Sequence, residues 1–239
     1  MRPESPFYEK SLNSLANSPV FRDLDRPTLE NILTECSLKT WPKSAVIFPE
    51  HNQEWFHFII KGRLEVSKIN VDSGREVTIF MCNKGDVFDL LAILQNKKHD
   101  VLSTVLEDLE CLVAPMPVAR EWLIKYPELN KNFLPYVGKH LYELESMTSD
   151  LALYDTTARL VKLILRSTEK KSKSNQHYPV KLIDNLSHEQ IAKMIGSVRV
   201  VVNRSIQKLK QEGIVSTKRN SIIIEDLEKL RENYSQHFN

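Results

Sequence analysis

The chain of 239 residues contains no long apolar run. No stretch approaches the roughly 18 to 20 apolar residues that a membrane-spanning helix needs. Its first residues, MRPESPFYEK, do not have the positive and then apolar pattern of a secretion signal. We therefore expect a cytoplasmic protein that does not associate with membranes.

Cysteine is scarce as well. The three cysteines, Cys36, Cys82 and Cys111, are odd in number and far apart in the sequence. This pattern argues against both a disulfide framework and a clustered metal site. A cubane iron–sulfur cluster takes one thiolate more than the chain contains. We expect reduced thiols and no metal ion.

The short motifs of common enzyme sites are also missing. The sequence has no glycine-rich phosphate loop, no HExxH and no GxSxG segment. It also offers no grouping of a nucleophile with a base. We therefore expect no catalytic residue and a protein that is not an enzyme.

Charge is distributed unevenly along the chain. From Asp155 onward there are 16 of the 33 Lys and Arg residues but only 9 of the 31 Asp and Glu residues, a net charge of +7. Residues 1–154 hold the remaining 17 and 22, a net charge of −5. The asymmetry predicts a basic C-terminal module with a polyanionic partner.

Strand patterns dominate the first half of the chain. After a polar N-terminal arm, residues 26–37 have helical spacing, and the segment from Trp41 to about Pro117 contains short runs rich in β-branched and aromatic residues. These runs are separated by turns that hold three of the six glycines, Gly62, Gly74 and Gly85. We predict an antiparallel roll or sandwich rather than βαβ units.

Beyond Pro127 the pattern becomes helical. Side chains recur at alternating steps of four and three residues, as in the a/d seam of a coiled coil: Phe133, Val137, His140, Leu144, Met147 and Leu151. The spacing predicts the seam of a dimer, although a helix packed on an adjacent domain would give the same pattern. His140, the polar member, would pack against its symmetry mate or pair with a nearby acid.

The segment GSVRVVVNRSIQKLKQEG, residues 196–213, decides the functional interpretation. Ser187 and Gln190 form a capping-box pattern for a helix that Gly196 closes. A second helix over 198–212 would gather Val198, Val202, Ile206 and Leu209 on one face, with Val201 at the margin. The opposite face would expose Arg199, Val200, Asn203, Arg204 and Gln207.

Two helices joined by a short glycine-containing turn predict a helix-turn-helix that binds double-stranded DNA. Arg199 can pair with guanine, Asn203 with adenine and Val200 with a thymine methyl group, while Arg204 can hold a phosphate or a base. The segment GIVSTKRNSIIIE predicts a hairpin wing whose turn cations contact phosphate. The predicted DNA-binding set is completed by Gln207, Ser197, Ser187, Lys218 and Arg219.

Four segments in this order resemble the Crp/Fnr family of bacterial transcription regulators: FHFIIKGRLEVSK, KGDVF, LALYDTTARL and LSHEQIAKMIGSVRVVVNR with LKQEGIV. The resemblance implies an α+β homodimer that controls transcription through palindromic DNA and contact with RNA polymerase. It divides the chain into an N-terminal arm at 1–20, a cyclic-nucleotide-binding-like β-roll effector domain at 21–118, a dimerisation helix region at 119–153 and a winged helix-turn-helix domain at 154–239.

The effector domain departs from the family pattern. Cyclic-nucleotide binders carry Gly-Glu and then an Arg-Ser/Thr pair where this chain has Asp89-Leu90 and Asp100-Val101, and no arginine occurs between Glu76 and Ala119. We therefore expect no productive binding of cAMP or cGMP, because the cyclic phosphate needs a guanidinium. An unidentified effector could use an apolar pocket near Val87 to Leu94, or the protein could need no effector. The candidate pocket residues are Val87, Phe88, Asp89, Leu90, Leu91, Asp100 and Val101.

The effector domain of this chain does not match the other branches of the family more closely. The N-terminal cysteine group of the redox branch is missing. No cofactor is predicted, although haem with axial ligands among His51, His57, His99 and the cysteines remains an alternative. The phrase IGSVRVVVNR is similar to the nitrogen-control branch, which favours GTA…TAC palindromes; its 2-oxoglutarate arginine corresponds to Asp100 here. An alternative of another class is a ligand-binding module whose basic domain docks a protein.

Overall fold

The computed structural model describes residues 1–47, 54–88, 90–95, 99–169, 180–184, 186–218 and 221–234. The chain folds into two compact units. Unit 1 comprises residues 1–75 and 79–143, and unit 2 comprises residues 76–78 and 144–239. In the described part of the chain, no helix is both long enough and apolar enough to cross a membrane.

Unit 1 begins with two short helices, α1 (Tyr8–Ala16) and α2 (Arg26–Thr34). The prediction of a polar arm over residues 1–20 is wrong for α1. Its buried face, which includes Leu12 and Leu15, packs into the core of unit 1. The polar residues that suggested an arm lie on the opposite face of an amphipathic helix.

A sheet of six strands follows in the described residues: β1 (Ser37–Trp41), β2 (Val46–Ile47), β3 (Trp55–Ile69), β4 (Glu76–Cys82), β5 (Val87–Phe88) and β6 (Leu102–Pro115). The strand order is β1-β6-β3-β4, with β2 beside β6 and β5 beside β3. β6 runs antiparallel to β1, β2 and β3. These pairings confirm the predicted antiparallel roll.

The register of strand β3 against β6 shifts between Ile59 and Leu64. Gly62 lies inside this irregular stretch with a φ of +96°. A Cβ atom at this position would lie 2.9 Å from the Leu109 Cα atom and would collide with the Asp108 carbonyl oxygen. Both the backbone conformation and the close approach of β6 therefore require glycine.

Two further helices cover the roll, α3 (Leu90–Gln95) and α4 (Met116–Lys125). The sequence pattern did not predict α3. The Arg120 guanidinium on α4 donates hydrogen bonds to two carbonyls of α3, from Nη2 to Ala92 at 2.6 Å and from Nε to Ile93 at 3.1 Å. Arg120 thus fixes the carbonyl groups that a helix C-terminus otherwise leaves unpaired.

The long helix α5 (Leu129–Leu153) contains Pro135 and continues from unit 1 into unit 2. Phe133 is only 2% exposed and belongs to the core of unit 1, against which Val137 also packs. The His140 ring lies 5.2 Å from the Phe80 ring and its Nδ1 atom lies 3.6 Å from a Glu143 oxygen.

The predicted dimer seam is therefore wrong for Phe133, Val137 and His140, because these side chains face the core of their own subunit. The alternative left open by the sequence, packing on the adjacent domain, holds for this half of the helix. Of the remaining seam residues, Leu144 and Met147 are half-buried and Leu151 is exposed. The pairing expected between His140 and a nearby acid is present.

Unit 2 contains the rest of the chain: α6 (Thr156–Glu169), β7 (Val180–Asp184), α7 (His188–Met194), α8 (Arg199–Gln211), β8 (Val215–Lys218), β9 (Ser221–Ile224) and α9 (Leu227–Tyr234). Its three strands are ordered β7-β9-β8, and both pairings are antiparallel. The sequence analysis did not predict β7. The Lys/Ser-rich segment 170–178, which the sequence predicts to be a solvated loop, lies outside the described residues.

An ion cluster within unit 2 links the end of α5 to α6. The Asp150 carboxylate is largely buried and accepts from Lys162 Nζ at 2.7 Å and from Arg166 Nη2 at 2.6 Å. Both of its oxygens are thereby paired, which compensates for the loss of hydration on burial.

Replacing Asp150 with alanine should lower the free energy of unfolding of unit 2 by about 2 kcal/mol, because Lys162 loses its partner while remaining largely buried. Circular dichroism at the helix band during urea unfolding would measure this change. Tryptophan fluorescence is unsuitable because Trp41, Trp55 and Trp122 all lie in unit 1.

The matched control is Asp23→Ala, which removes an exposed ion pair with Arg22 at 3.8 Å. Exposed pairs of this kind contribute little to stability. Equal, small effects of the two substitutions would show that the Asp150 cluster does not stabilise unit 2.

Candidate nucleic-acid interface

The helix α7 begins at a reciprocal cap. The Ser187 side chain accepts from the Gln190 backbone nitrogen at 3.2 Å, and the Gln190 side-chain oxygen accepts from the Ser187 backbone nitrogen at 2.7 Å. The predicted capping box is therefore present. It fixes the residue at which the first helix of the pair begins.

A glycine turn joins α7 to α8. Gly196 has a φ of +60°, and the Ser197 backbone nitrogen donates to the Ala192 carbonyl at 2.8 Å, which closes the helix C-terminus. A Cβ atom at Gly196 would lie 2.5 Å from the Leu151 Cδ2 atom. Glycine is thus favoured by the backbone conformation, whereas the exposed Leu151 side chain could move aside for a Cβ atom.

The apolar stripe of α8 is buried as predicted. Val202, Ile206 and Leu209 are each at most 1% exposed, and Val201 is half-buried at the margin. Val198 was predicted on this buried face, and that prediction is wrong, since Val198 is 53% exposed. It is the N-cap residue with extended backbone, so the helical periodicity of the following residues does not apply to it.

The opposite face of α8 carries the side chains predicted to contact DNA. Arg199, Arg204 and Gln207 are exposed, and the apolar Val200 is 68% exposed among them. Asn203 is half-buried, and its Oδ1 atom is hydrogen-bonded to Nδ1 of His188 on α7. Sequence reasoning did not find this contact, because the two residues belong to different helices.

Hydroxyl groups join α8 to the helix behind it. Thr157 on α6 and Ser205 on α8 share a hydrogen bond of 2.9 Å between their Oγ atoms, and Thr156 contacts the half-buried Ser197 in the turn at 3.3 Å. Asp155 caps α6 by accepting from the Ala158 backbone nitrogen at 2.8 Å. Together these contacts hold α8 against α6.

The hairpin β8–β9 follows α8 directly. Lys218 pairs with Ser221 at the end of the two strands. Lys218 is exposed. Arg219, the other predicted phosphate contact, lies outside the described residues. The predicted wing is therefore present next to the helix pair.

The predicted effector-pocket residues do not form one common surface. Val87 packs in the core beneath the helices of unit 1, whereas Phe88 and Val101 pack inside the roll. The other described candidates are the half-buried Leu90 and the exposed Leu91 and Asp100. Asp89 lies outside the described residues.

The described candidate haem ligands are buried or half-buried. All three cysteines are buried, and burial raises the pKa of the Cys36 thiol to about 12, which disfavours the thiolate that would bind iron. Burial also raises the pKa of Cys111. His57 is buried beside the Phe88 ring at 4.5 Å, His99 is half-buried, and His51 lies outside the described residues.

Among the residues that the structure describes, no three or more His, Cys, Asp or Glu side chains form a group that could hold a metal ion.

Two known domain families match the chain in the order that the fold suggests. Residues 38–126 match the family described as cyclic nucleotide-binding domain. Residues 158–233 match the family described as Crp-like helix-turn-helix domain. The second match covers α7, α8 and the hairpin.

Named relatives match over most of their length. The chain is 27% identical to the global nitrogen regulator of Nostoc sp. over 188 residues, which is 75% of this chain and 81% of that protein. It is 27% identical to the anaerobic regulatory protein of Bacillus subtilis over 222 residues, which is 89% of this chain and 90% of that protein.

Solved structures share the fold. A mutant of CooA from Carboxydothermus hydrogenoformans superposes with a TM-score of 0.73 at 21% identity, covering 85% of this chain and 90% of that one. At this identity the likeness concerns the architecture only.

A cyclic-nucleotide-binding roll, a long helix and a winged helix-turn-helix thus follow one another along the chain. This combination is that of transcription regulators and not of enzymes, which confirms the prediction drawn from the missing enzyme motifs. The chain belongs to the Crp/Fnr family of DNA-binding transcription regulators.

Proposed function

We propose that the protein acts as a homodimer that binds a palindromic promoter site through α8 and does not respond to cyclic nucleotides. The observation that carries this proposal is the division of α8 into a buried apolar face and an exposed face with Arg199, Val200 and Arg204. The basic charge of the segment from Asp155 onward supports a polyanionic partner.

The exposed side chains suit the major groove. Arg199 stands at the first position of α8 and can donate two hydrogen bonds to guanine O6 and N7. Val200 would otherwise be a solvent-exposed apolar residue, and a thymine methyl group would cover it. Arg204, Gln207 and Asn203 follow on the same face. Because Val200 replaces the glutamate of most family members, we propose GTA…TAC half-sites rather than TGTGA.

Groups at the edge of this face are proposed to hold the DNA backbone. Lys218 and Arg219 would contact phosphate from the wing. The Ser187 hydroxyl accepts a hydrogen bond within the capping box, so its own hydrogen can still be donated to a phosphate oxygen. Ser197 is placed in the turn between the helices. RNA polymerase is the proposed protein partner at the promoter.

The dimer seam is proposed to lie one residue further along α5 than the sequence predicted. Leu134 and Leu141 are 61% and 66% exposed, and Tyr142 is 69% exposed beside them. Leu134 and Leu141 are seven residues apart, which places both on one face of the helix. A second copy of the chain would bury this apolar face against itself.

Arg199→Ala should weaken binding to the selected DNA site by about tenfold to a hundredfold and relax the preference at one base pair of each half-site. Selection from a random DNA library, with purified protein and no added ligand, would define the site, and fluorescence anisotropy would give the affinities. An absorption spectrum of the same sample tests for haem.

Lys218→Ala is the matched comparison. Loss of a phosphate contact should reduce the affinity for all DNA sequences and lower the slope of log affinity against log salt concentration by about one. Enrichment of TGTGA would contradict the proposed half-site. Binding that is insensitive to salt, or no selection at all, would favour the protein-docking alternative. A Soret band would favour a haem sensor.

Leu141→Lys should shift the protein from dimer to monomer and weaken its binding to the palindrome, since a charge would be buried in the seam. Sedimentation velocity would measure the change. Ile124→Lys is the control, because Ile124 is 81% exposed on α4 and lies off the proposed seam. A dimer that survives Leu141→Lys as well as it survives Ile124→Lys would exclude this face.

Added cAMP or cGMP should change neither the thermal unfolding temperature nor the DNA affinity. Asp100 is exposed where a phosphate-binding arginine would be needed, and Arg120 is already bonded to carbonyls of α3. A ligand at 100 times its Kd would stabilise the protein by about 2.7 kcal/mol, which differential scanning fluorimetry detects readily. A saturable shift that 5′-AMP does not reproduce would contradict this proposal.

A further inference from the structure

His188 and Asn203 connect the two helices of the helix-turn-helix. His188 is the first residue of α7, and Asn203 lies one turn into α8 on its base-reading face. The Nδ1 atom of the imidazole is hydrogen-bonded to the Oδ1 atom of the amide, and both residues are half-buried. The contact joins a residue outside the reading helix to one that faces the bases.

The chemistry of the two groups fixes the direction of this hydrogen bond. An amide oxygen only accepts, so the imidazole must carry its hydrogen on Nδ1 and donate it. The amide is thereby oriented with its oxygen toward α7. The NH2 group, which is a donor only, is the end of Asn203 that remains to be offered to DNA.

We propose that His188 is a positioning residue that sets which base Asn203 selects. The inference rests on the proposed function, because it needs α8 to lie in the major groove. An unrestrained asparagine prefers adenine, since its oxygen accepts from N6 while its NH2 group donates to N7. Asn203 held by His188 offers its NH2 group, which suits the two acceptors of guanine, O6 and N7, at least as well as adenine.

This proposal changes the base pairing expected from the sequence alone. Asn203 was assigned to adenine because that is the preference of an unrestrained amide. Helix α8 therefore does not set the base specificity alone. Helix α7 contributes through the His188 side chain, which need not touch a base.

The test compares operator duplexes that carry each of the four bases at the position read by Asn203. That position is identified as the base pair at which Asn203→Ala removes the preference. In the parent protein, guanine should bind at least as tightly as adenine there. His188→Leu frees the amide to turn and should shift the ratio of adenine to guanine affinity toward adenine by about tenfold.

Two controls separate positioning from a general loss of structure. His188→Asn supplies an amide donor close to the place of Nδ1 and should restore the parental ratio. In the Asn203→Ala background, His188→Leu should leave the relative affinities for the four bases unchanged. A purely structural role for His188 would weaken all duplexes equally in every background.

The outcomes distinguish this inference from the function on which it rests. If the parent selects no DNA site, the proposed function fails and the inference fails with it. If the parent selects a site and Arg199→Ala acts as expected, but His188→Leu leaves the base ratio unchanged, only the inference is wrong.

Folding of His188→Leu is checked by circular dichroism, and His188→Ala is the second removal variant. The parent protein alone also tests the inference. A preference of about tenfold for adenine over guanine in this protein would contradict an NH2 group of Asn203 that faces the DNA.

Discussion

Burial of the apolar stripe of α8 is the constraint on which the proposed DNA-reading surface depends. Val202, Ile206 and Leu209 are almost fully buried, and each contributes about 1.5 to 3 kcal/mol on leaving water. Hiding Val200 instead would require a rotation of the helix that returns part of this stripe to solvent. The stripe therefore fixes the rotation of α8 about its own axis. Arg199 and Val200 face outward as a consequence.

Features determined by neighbouring residues were predictable from the sequence. The capping box at Ser187, the turn at Gly196 and the buried stripe of α8 all depend on spacing over one or two helical turns. Periodicity failed at Val198 because a cap residue does not share the geometry of the helix that it begins. It could not indicate the bond between His188 and Asn203, which needs the angle between two helices.

The long helix α5 illustrates a different limit. Phe133 packs in the core of unit 1, whereas its neighbour Leu134 is 61% exposed. Both faces carry apolar residues at helical spacing, with Leu134 and Leu141 seven residues apart on the second face. The pattern alone therefore cannot say which face meets the core and which is left for another chain. Only the packed neighbours decide. The aromatic contacts of His140 assign the first face to the subunit itself, and the second face then remains the candidate for a partner.

A shared fold does not by itself carry over a ligand, and the roll is proposed to be such a case. A cyclic phosphate taken out of water needs a cation or several N–H donors to compensate for its lost hydration. The sequence supplies no arginine between Glu76 and Ala119, and it places the exposed Asp100 where a guanidinium would be required. Arg120 is the next guanidinium along the chain, and it already donates hydrogen bonds to the Ala92 and Ile93 carbonyls of α3. Each carbonyl released without a new partner would destabilise α3. Under the proposal that cyclic nucleotides do not bind, the strands and turns match a cyclic-nucleotide-binding domain while the charge of Asp100 opposes an anion.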